Sequence, residues 1–538
     1  MLNQNFRPSF LHEALKEYLD TIDLIQEEIL GPQKHSLIND RKRLGHIHHA
    51  LNISEYKKSD FRFELLSRAP DELLIQFLNE VGLLHGEKID ESKRFELISK
   101  ASKLSWKDNK ETRAFVKIFG YEESLIPLQT ESPPQVETVQ VYGAPLKTLF
   151  EYQSKIFYQS VDLVENEWMR FIIQMPTGAG KTRTAMELVA HFLNTGIASG
   201  KERRVMWLSD KMELSEQAIE SFTHTWPHLG KKAAKVYRLW GGSTIDTFES
   251  NSFIVAGYDK LNFLLKNKNK LPFPDLIVCD EAHNSISPTY KETIETLADN
   301  GARVVGLTAT PIRAINSIEN QELREFFNDR IIDIDVDENA IQYLQKKGYL
   351  SHCIDEVIDS NTNFGIPKDI MRLASKERDL GTRFLEKIAN NNERNLAIAR
   401  LLKKLGDEGI KVLYFAPRIK QSKLMCALLI SFGFSAAHID GTTPKEYRRD
   451  VIKKFSDGII RIVCNCDVFT TGFDDPKIDA IVIGRPTKSI VLHQQMIGRG
   501  MRGPKMGGTP IFRLYRINDN LPEIALADQY FVEEWGKS

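Results

Sequence analysis

Three groups of residues in this 538-residue chain have the types and spacing to act on a phosphoanhydride. Pro176-Thr177-Gly178-Ala179-Gly180-Lys181-Thr182 has glycines that let backbone N–H groups curl around phosphate oxygens. Its Lys181 would reach the β- and γ-phosphates, and its Thr182 would ligate Mg2+. Asp280-Glu281 is a carboxylate pair: Asp280 is assigned to the metal, partly through water, and Glu281 to the general base that deprotonates an attacking water. Gln495-Met-Ile-Gly-Arg499-Gly-Met-Arg502 brings two guanidiniums that could stabilise the charge developing on a transferred γ-phosphoryl group. The chemistry these residues describe is ATP hydrolysis with Mg2+.

Such groups need rigid elements behind them. Phe171-Ile-Ile-Gln-Met175 reads as a short buried strand running into the glycine loop. A helix with Ala185, Met186, Leu188, Val189 and Phe192 on its apolar side follows. Strand, glycine loop, helix is the context a phosphate-binding loop requires. Met175 stands where the strict pattern begins with Gly, a position without a chemical role. Leu276-Ile-Val-Cys279 is a second apolar strand, and it delivers Asp280 and Glu281 at its carboxyl end. RVMWLS, SFIVAG and ARVVGLT continue the alternation of apolar strands with amphipathic helices, and KVLYFAP, AAHIDG, RIVCNC, AIVIGRP and TPIFRLYRI form a second set. Helices covering both faces of parallel sheets leave such continuous apolar runs. The expected fold class is therefore α/β, with two tandem parallel-sheet domains over 147–335 and 336–538. Residues 311–395 read as mixed and mostly helical. Residues 1–130 have helical periodicity, and the proline-bearing stretch 131–146 reads as a linker.

Lys plus Arg number 72 and Asp plus Glu 73, so the chain is nearly neutral. That disfavours a tail-driven polyanion binder but leaves room for a local basic groove. Five cysteines in a chain of this length do not form a disulfide framework, and Cys464-Asn-Cys466 has no second pair for a metal. No apolar run approaches the roughly 18 residues of a membrane span, and MLNQNFRPSF lacks a signal-peptide pattern. A cytoplasmic location is expected.

Taken in order, the phosphate loop, Asp280-Glu-Ala-His283, Thr308-Ala-Thr310 and the Gln495–Arg502 word resemble the superfamily 2 DEAD/DEAH-box helicases. The likeness is nearest in style to the ResIII-like helicase parts of type I and type III restriction enzymes. It covers about 145–535 and leaves 1–130 outside. It implies two RecA-like domains closing on ATP and Mg2+, with a strand of nucleic acid across them. Carried over by position, Thr177 to Thr182 would hold the nucleotide and Gln153, in Tyr152-Gln153, would read adenine, although Phe150 and Glu151 depart from the usual Arg-Pro. Trp207–Gln217, Ala256-Gly-Tyr258, Tyr414–Arg418 and His438–Gly441 resemble backbone-contacting or inter-motif segments. Thr470–Asp474 resembles the element touching nucleic acid and nucleotide together, which assigns Gly472 and Asp474 to the nucleotide. Thr308, Thr310, His283 and Gln495 would couple hydrolysis to strand movement. Arg499 and Arg502 would be the arginine fingers. DNA is favoured over RNA. A protein partner carrying nuclease or effector activity is expected, since no nuclease word follows Arg502. An ATPase switch that signals without unwinding, or an RNA helicase, would carry the same motifs.

The remaining signals are weaker. Leu11, Leu15, Tyr18, Ile22, Ile25 and Ile29 make a heptad stripe that reads as one side of a helical bundle, or as a partner-docking helix. From Lys93 to Lys117 eight basic residues outnumber three acids, which could form a phosphate-contacting face or a plain solvated one. His46-Ile-His48-His49 has no trustworthy zinc spacing. Pro70-Asp71 with Glu91-Ser-Lys93 superficially fits a nuclease core, but the surrounding period is helical rather than stranded.

Overall fold

The computed structural model describes residues 8–31, 41–86, 88–127, 133–166, 170–243, 245, 247–267, 271, 273–309, 317–360, 380–468, 477–487 and 489–519. The apolar runs become the centres of two sheets. The first contains β1 (Val136–Val139), β2 (Arg170–Gln174), β3 (Arg204–Ser209), β4 (Ala234–Leu239), β5 (Ser252–Gly257), β6 (Leu276–Asp280), β7 (Arg303–Thr308) and β8 (Ile331–Ile332). Their order is β1-β4-β5-β3-β6-β7-β2-β8, parallel except at β1/β4. The second contains β9 (His352–Asp359), β10 (Val412–Phe415), β11 (Ala436–Ile439), β12 (Ile462–Asn465), β13 (Ala480–Ile483) and β14 (Ile511–Asn518). Its order is β11-β12-β10-β13-β14-β9, parallel throughout. Helices on both faces bury the strands, so the core runs are apolar without alternation. Two parallel sheets with flanking helices confirm the α/β reading.

Two stretches differ from the sequence reading. Within the expected linker 131–146, β1 adds an antiparallel edge to the first sheet. Arg238 of β4 fastens it, with its guanidinium 2.8 Å from Glu137, 3.5 Å from Glu216 and bonded to the Pro134 carbonyl at 3.0 Å. Within 311–395, read as mostly helical, β8 and the eight-residue β9 extend the two sheets. β9 sits at an edge, and its alternating exposure hides it from a search for solid apolar runs.

The N-terminal helices are Pro8–Leu30, Arg41–Leu51, Ser59–Arg68, Asp71–Glu80, Glu91–Ser102 and Lys110–Ile118. The heptad stripe does not face outward for a partner. Leu15, Ile22 and Ile25 are buried, and the first two helices pack on the Ile419–Ser431 helix of the second domain. Polar contacts hold the same seam: Gln26 Nε2 donates to Ser431 Oγ at 2.8 Å and Arg43 to the Ser431 carbonyl at 3.1 Å. Lys420 lies 2.5 Å from Glu17, and Lys454 lies 2.8 Å from Glu122. His48 and His49 are core residues. Burial pushes them down to about 4 and about 3, and His49 Nδ1 bonds the Tyr56 hydroxyl. The basic run is half neutralised, by Arg94–Asp71, Lys100–Glu96, Lys110–Glu80 and Arg113–Asp108 pairs. Asp71, Glu91 and Lys93 lie on helices. No described helix is long and apolar enough to cross a membrane.

One buried ion pair ties the second domain together. Arg394 donates through Nε and Nη2 to Asp519 at 2.7 and 2.9 Å, and Nη2 also reaches the Gly484 carbonyl at 2.5 Å. Both side chains are 1% exposed or less. Removing one partner leaves an uncompensated charge in the core, at a cost of about 3–5 kcal/mol. Asp519→Ala should therefore lower the urea midpoint substantially, and an unchanged midpoint would contradict this account.

Candidate active site

β2 ends at Gln174 and the chain turns through 175–180 into the Lys181–Ala198 helix. Gly178 and Gly180 sit at φ +84° and +83°, a left-handed conformation that disfavours side chains. Gly180 is the helix N-cap and has no side-chain cap, so the first helical N–H groups point toward the cleft. The loop is braced from behind. Tyr152 donates its hydroxyl to the Ala179 carbonyl at 2.8 Å, and Gln153 Nε2 donates to the same oxygen at 3.0 Å. Gln153 Oε1 accepts from the Phe150 amide at 3.0 Å. Both ends of the Gln153 amide are thus spent inside the chain, and the residue is buried. Gln153 therefore braces the loop from behind, a contact that its sequence motif does not name.

At the end of β6, Asp280 and Glu281 share one turn. Asp280 Oδ1 accepts the Glu281 amide at 3.0 Å, and Glu281 has φ +50°. That costly backbone geometry turns its carboxylate back toward the glycine loop. Lys181 Nζ lies 4.0 Å from Glu281 Oε1, and His283 Nδ1 lies 3.4 Å from Oε2. The two acids are pushed apart electrostatically. Burial raises Asp280 to about 6, with Glu281 and Asp210 adding to the rise and Lys181 opposing it. Burial also opposes charge on Glu281. There Lys181, His283 and Arg499, with a hydrogen bond from Gln495, outweigh it and hold the carboxyl below its usual range.

Those last two residues belong to the second domain. The Ile490–Ile497 helix, N-capped by Ser489, carries Gln495 and leads to Arg499 and Arg502. Thr177, Gly178, Gly180, Lys181, Thr182, Asp280, Glu281, Gln495, Arg499 and Arg502 line one cleft of about 510 Å³. Its walls come from both domains: the carboxyl ends of β2 and β6, where α/β folds bind ligands, and the 490–502 segment of the second domain.

The residues 146–313 match the family model described as type III restriction enzyme, res subunit, and 394–503 match the helicase conserved C-terminal domain. The chain belongs to the superfamily 2 helicases. Its two α/β domains resemble the helicase parts of restriction enzymes. IRC3 of Saccharomyces cerevisiae, named as an ATP-dependent helicase, is 27% identical over 67% of this chain and 50% of its own length. A 51.5 kDa protein of a Lactococcus phage is 27% identical over 62% of each chain. The EcoKI endonuclease subunit of Escherichia coli is 24% identical over 62% of this chain and 31% of its own. The chain thus spans about half to three fifths of the first two relatives. Among solved structures, an HsdR fragment of a type I restriction enzyme from Vibrio vulnificus shares the fold at a TM-score of 0.50. It is 17% identical, over 80% of this chain and 71% of that one.

The other assigned residues of this helicase fall around the cleft. Ala179 is buried, with its carbonyl turned to Tyr152 and Gln153. Thr308 ends β7, also buried, and its carbonyl accepts the Met175 amide at 3.1 Å. Thr310, Gly472 and Asp474 lie outside the described residues. Lys211, Gly257 and Arg418 are N-caps of helices that follow β3, β5 and β10, so the three expected backbone-contacting segments share the carboxyl edges of the sheets. Ser422, His438 and Asp440 form a hydrogen-bonded chain at 2.8 and 2.9 Å. It resembles a hydrolytic triad in composition only: all three are buried, and Asp440 spends its other oxygen on the Thr442 and Thr443 amides.

Gly498 is a site residue that motif reading left without a role. A Cβ there would lie 2.1 Å from Thr177 Cγ2, so the second domain touches the phosphate loop through a residue that has room for nothing larger than hydrogen. Gly498→Ala should hold the cleft open and lower ATP turnover by at least tenfold, with nucleotide binding retained. Adding Thr177→Ser, which deletes the nearest atom, should recover part of the loss in steady-state assays.

Proposed function

We propose that this chain hydrolyses ATP between its two α/β domains and uses the closing and opening of that cleft to move along nucleic acid, with DNA the favoured track. The observation that carries this reading is the convergence of Lys181 from one domain and Gln495 and Arg499 from the other on Glu281. A base under the joint influence of both domains works only when they meet, which ties hydrolysis to closure. The uncapped helix start at Gly180, the hydroxyl of Thr182 and the half-buried carboxyl of Asp280 fit a triphosphate with Mg2+. A dication would favour ionised Asp280 and would supply charge neutralisation at the phosphates. Glu281 would accept the proton of the attacking water, while Arg499 and Arg502 would face the oxygens that gain charge. His283 and Thr308 would pass the state of the site to the surface that contacts the strand.

DNA is favoured because the first domain matches the restriction-enzyme family, although relatives named as RNA helicases also match. Partnership with a nuclease or effector protein, in a restriction or antiphage system, follows from the same resemblance. The test is steady-state ATP hydrolysis with single-stranded DNA, duplex DNA, single-stranded RNA and duplex RNA, joined to a strand-displacement assay. Stimulation by DNA with displacement supports the reading. Stimulation without displacement would replace it by an ATPase switch, and stimulation by RNA alone would replace the track.

A further inference from the structure

The connector between the domains does more than join them. Residues 348–351 pass between the phosphate loop and the segment that bears Arg502, and they touch both. On the first-domain side, the Tyr349 ring lies 4.6 Å from Phe150 and 5.0 Å from Tyr152, centroid to centroid. Tyr152 is the residue whose hydroxyl holds the Ala179 carbonyl of the loop. Leu350 lies against the same loop, its Cδ2 3.3 Å from where a Cβ on Gly178 would stand.

On the second-domain side the contacts are with backbone. Leu350 and Arg502 form an isolated antiparallel bridge. The Ser351 amide donates to Met501 O at 2.9 Å, and its hydroxyl donates toward Arg502 O at 2.6 Å and Thr509 O at 2.5 Å. The Gly503 amide donates to Tyr349 O and the Lys505 amide to Gly348 O, each at 3.0 Å. A Cβ on Gly503 would lie 2.6 Å from Gly348 O, so the approach is as close as the chain allows. The Lys505 ammonium sits 4.6 Å from the centroid of the Tyr349 ring. One aromatic ring therefore touches both the braces of the phosphate loop and a cation from the arginine-bearing segment.

We propose that Tyr349 is a positioning residue that couples the phosphate loop to the arginine-bearing segment 499–505. A shift of the Ala179 turn is transmitted through Tyr152 and Tyr349 to the segment 501–505, and so to Arg499 and Arg502. The contacts use the faces and edges of the ring, so phenylalanine should serve in its place and alanine should not. This inference rests on the reading of the cleft as the ATP site.

The test uses the full chain with Tyr349→Ala and Tyr349→Phe. With the nucleic acid that best stimulates the parent, Tyr349→Ala should lower kcat at least tenfold with the KM for ATP changed less than threefold. Tyr349→Phe should stay within twofold of the parent in both. A merely structural role would instead lower the thermal midpoint and move kcat and KM together. Small-angle scattering without nucleotide supplies a readout independent of turnover: the alanine variant should have a larger radius of gyration than the parent, and the phenylalanine variant should not. Unchanged scattering and kcat in Tyr349→Ala, or equal damage in Tyr349→Phe, would overturn the proposal. A parent protein that hydrolyses no ATP would sink the ATPase reading, and the coupling would then stand or fall on the scattering alone.

Discussion

Glu281→Gln should stop ATP turnover while leaving the nucleotide bound. The substitution keeps the size and shape of a side chain that β6 and the φ +50° turn aim at the glycine loop, and it removes the one property catalysis needs there. As a carboxylate held below its usual range by Lys181, His283 and Arg499, Glu281 is ionised and able to receive a proton at neutral pH. An amide is not. Loss of a positioned general base costs about 10²–10⁴ in rate. Single-turnover hydrolysis should fall by that much, with equilibrium binding of a fluorescent ATP analogue within a few-fold of the parent. The variant should also hold nucleic acid more tightly in ATP than the parent does, because the closed state no longer empties. Turnover within threefold of the parent would remove Glu281 from the role of base and shift attention to Asp280.

Arg499→Ala is expected to be as damaging, for a different reason. Arg499 reaches the first domain's carboxylate from the segment after the Ile490–Ile497 helix, so its charge enters the site only with the second domain in place. Arginine fingers are worth about 10³–10⁵ in kcat for phosphoryl transfer. The alanine variant should lose kcat in that range and retain nucleotide affinity, since Lys181, Thr182 and the loop amides belong to the first domain. Arg499→Lys should recover little, because a single ammonium cannot reproduce the planar donor fork. If the alanine variant keeps a tenth of parental kcat, charge stabilisation must come from elsewhere.

Much of this was readable from the chain because the motifs combine glycines, charges and buried strands that few other arrangements need. The strands under the phosphate loop and under Asp280 are apolar on both faces, and each ends at a polar residue that cannot continue inward. β1 and β9 were not readable for the same reason reversed: edge strands keep one side in water, and VETV or HCIDEVID offers no solid apolar run. The bracing of the phosphate loop by Gln153 was likewise not legible, because the bonds of its amide to Ala179 and Phe150 depend on distances that only folding sets. Gly498 and Tyr349 lie at contacts between domains, where no local pattern announces a partner hundreds of residues away.

The Ile419–Ser431 helix is buried on nearly every side, with Leu424 through Ser431 all in the interior. A helix that packs only on its sheet would show water on its outer face. This one is buried all round from Leu424 to Ser431 because the N-terminal helices pack on it, with residues of the heptad stripe buried beside it. The family's sequence motifs begin near residue 146, but the N-terminal helices are part of the same packed unit. A chain cut at the motif boundary would lay bare the outer face of this helix at Ser431, and its insolubility would say nothing about what the N-terminal helices contribute to the reaction.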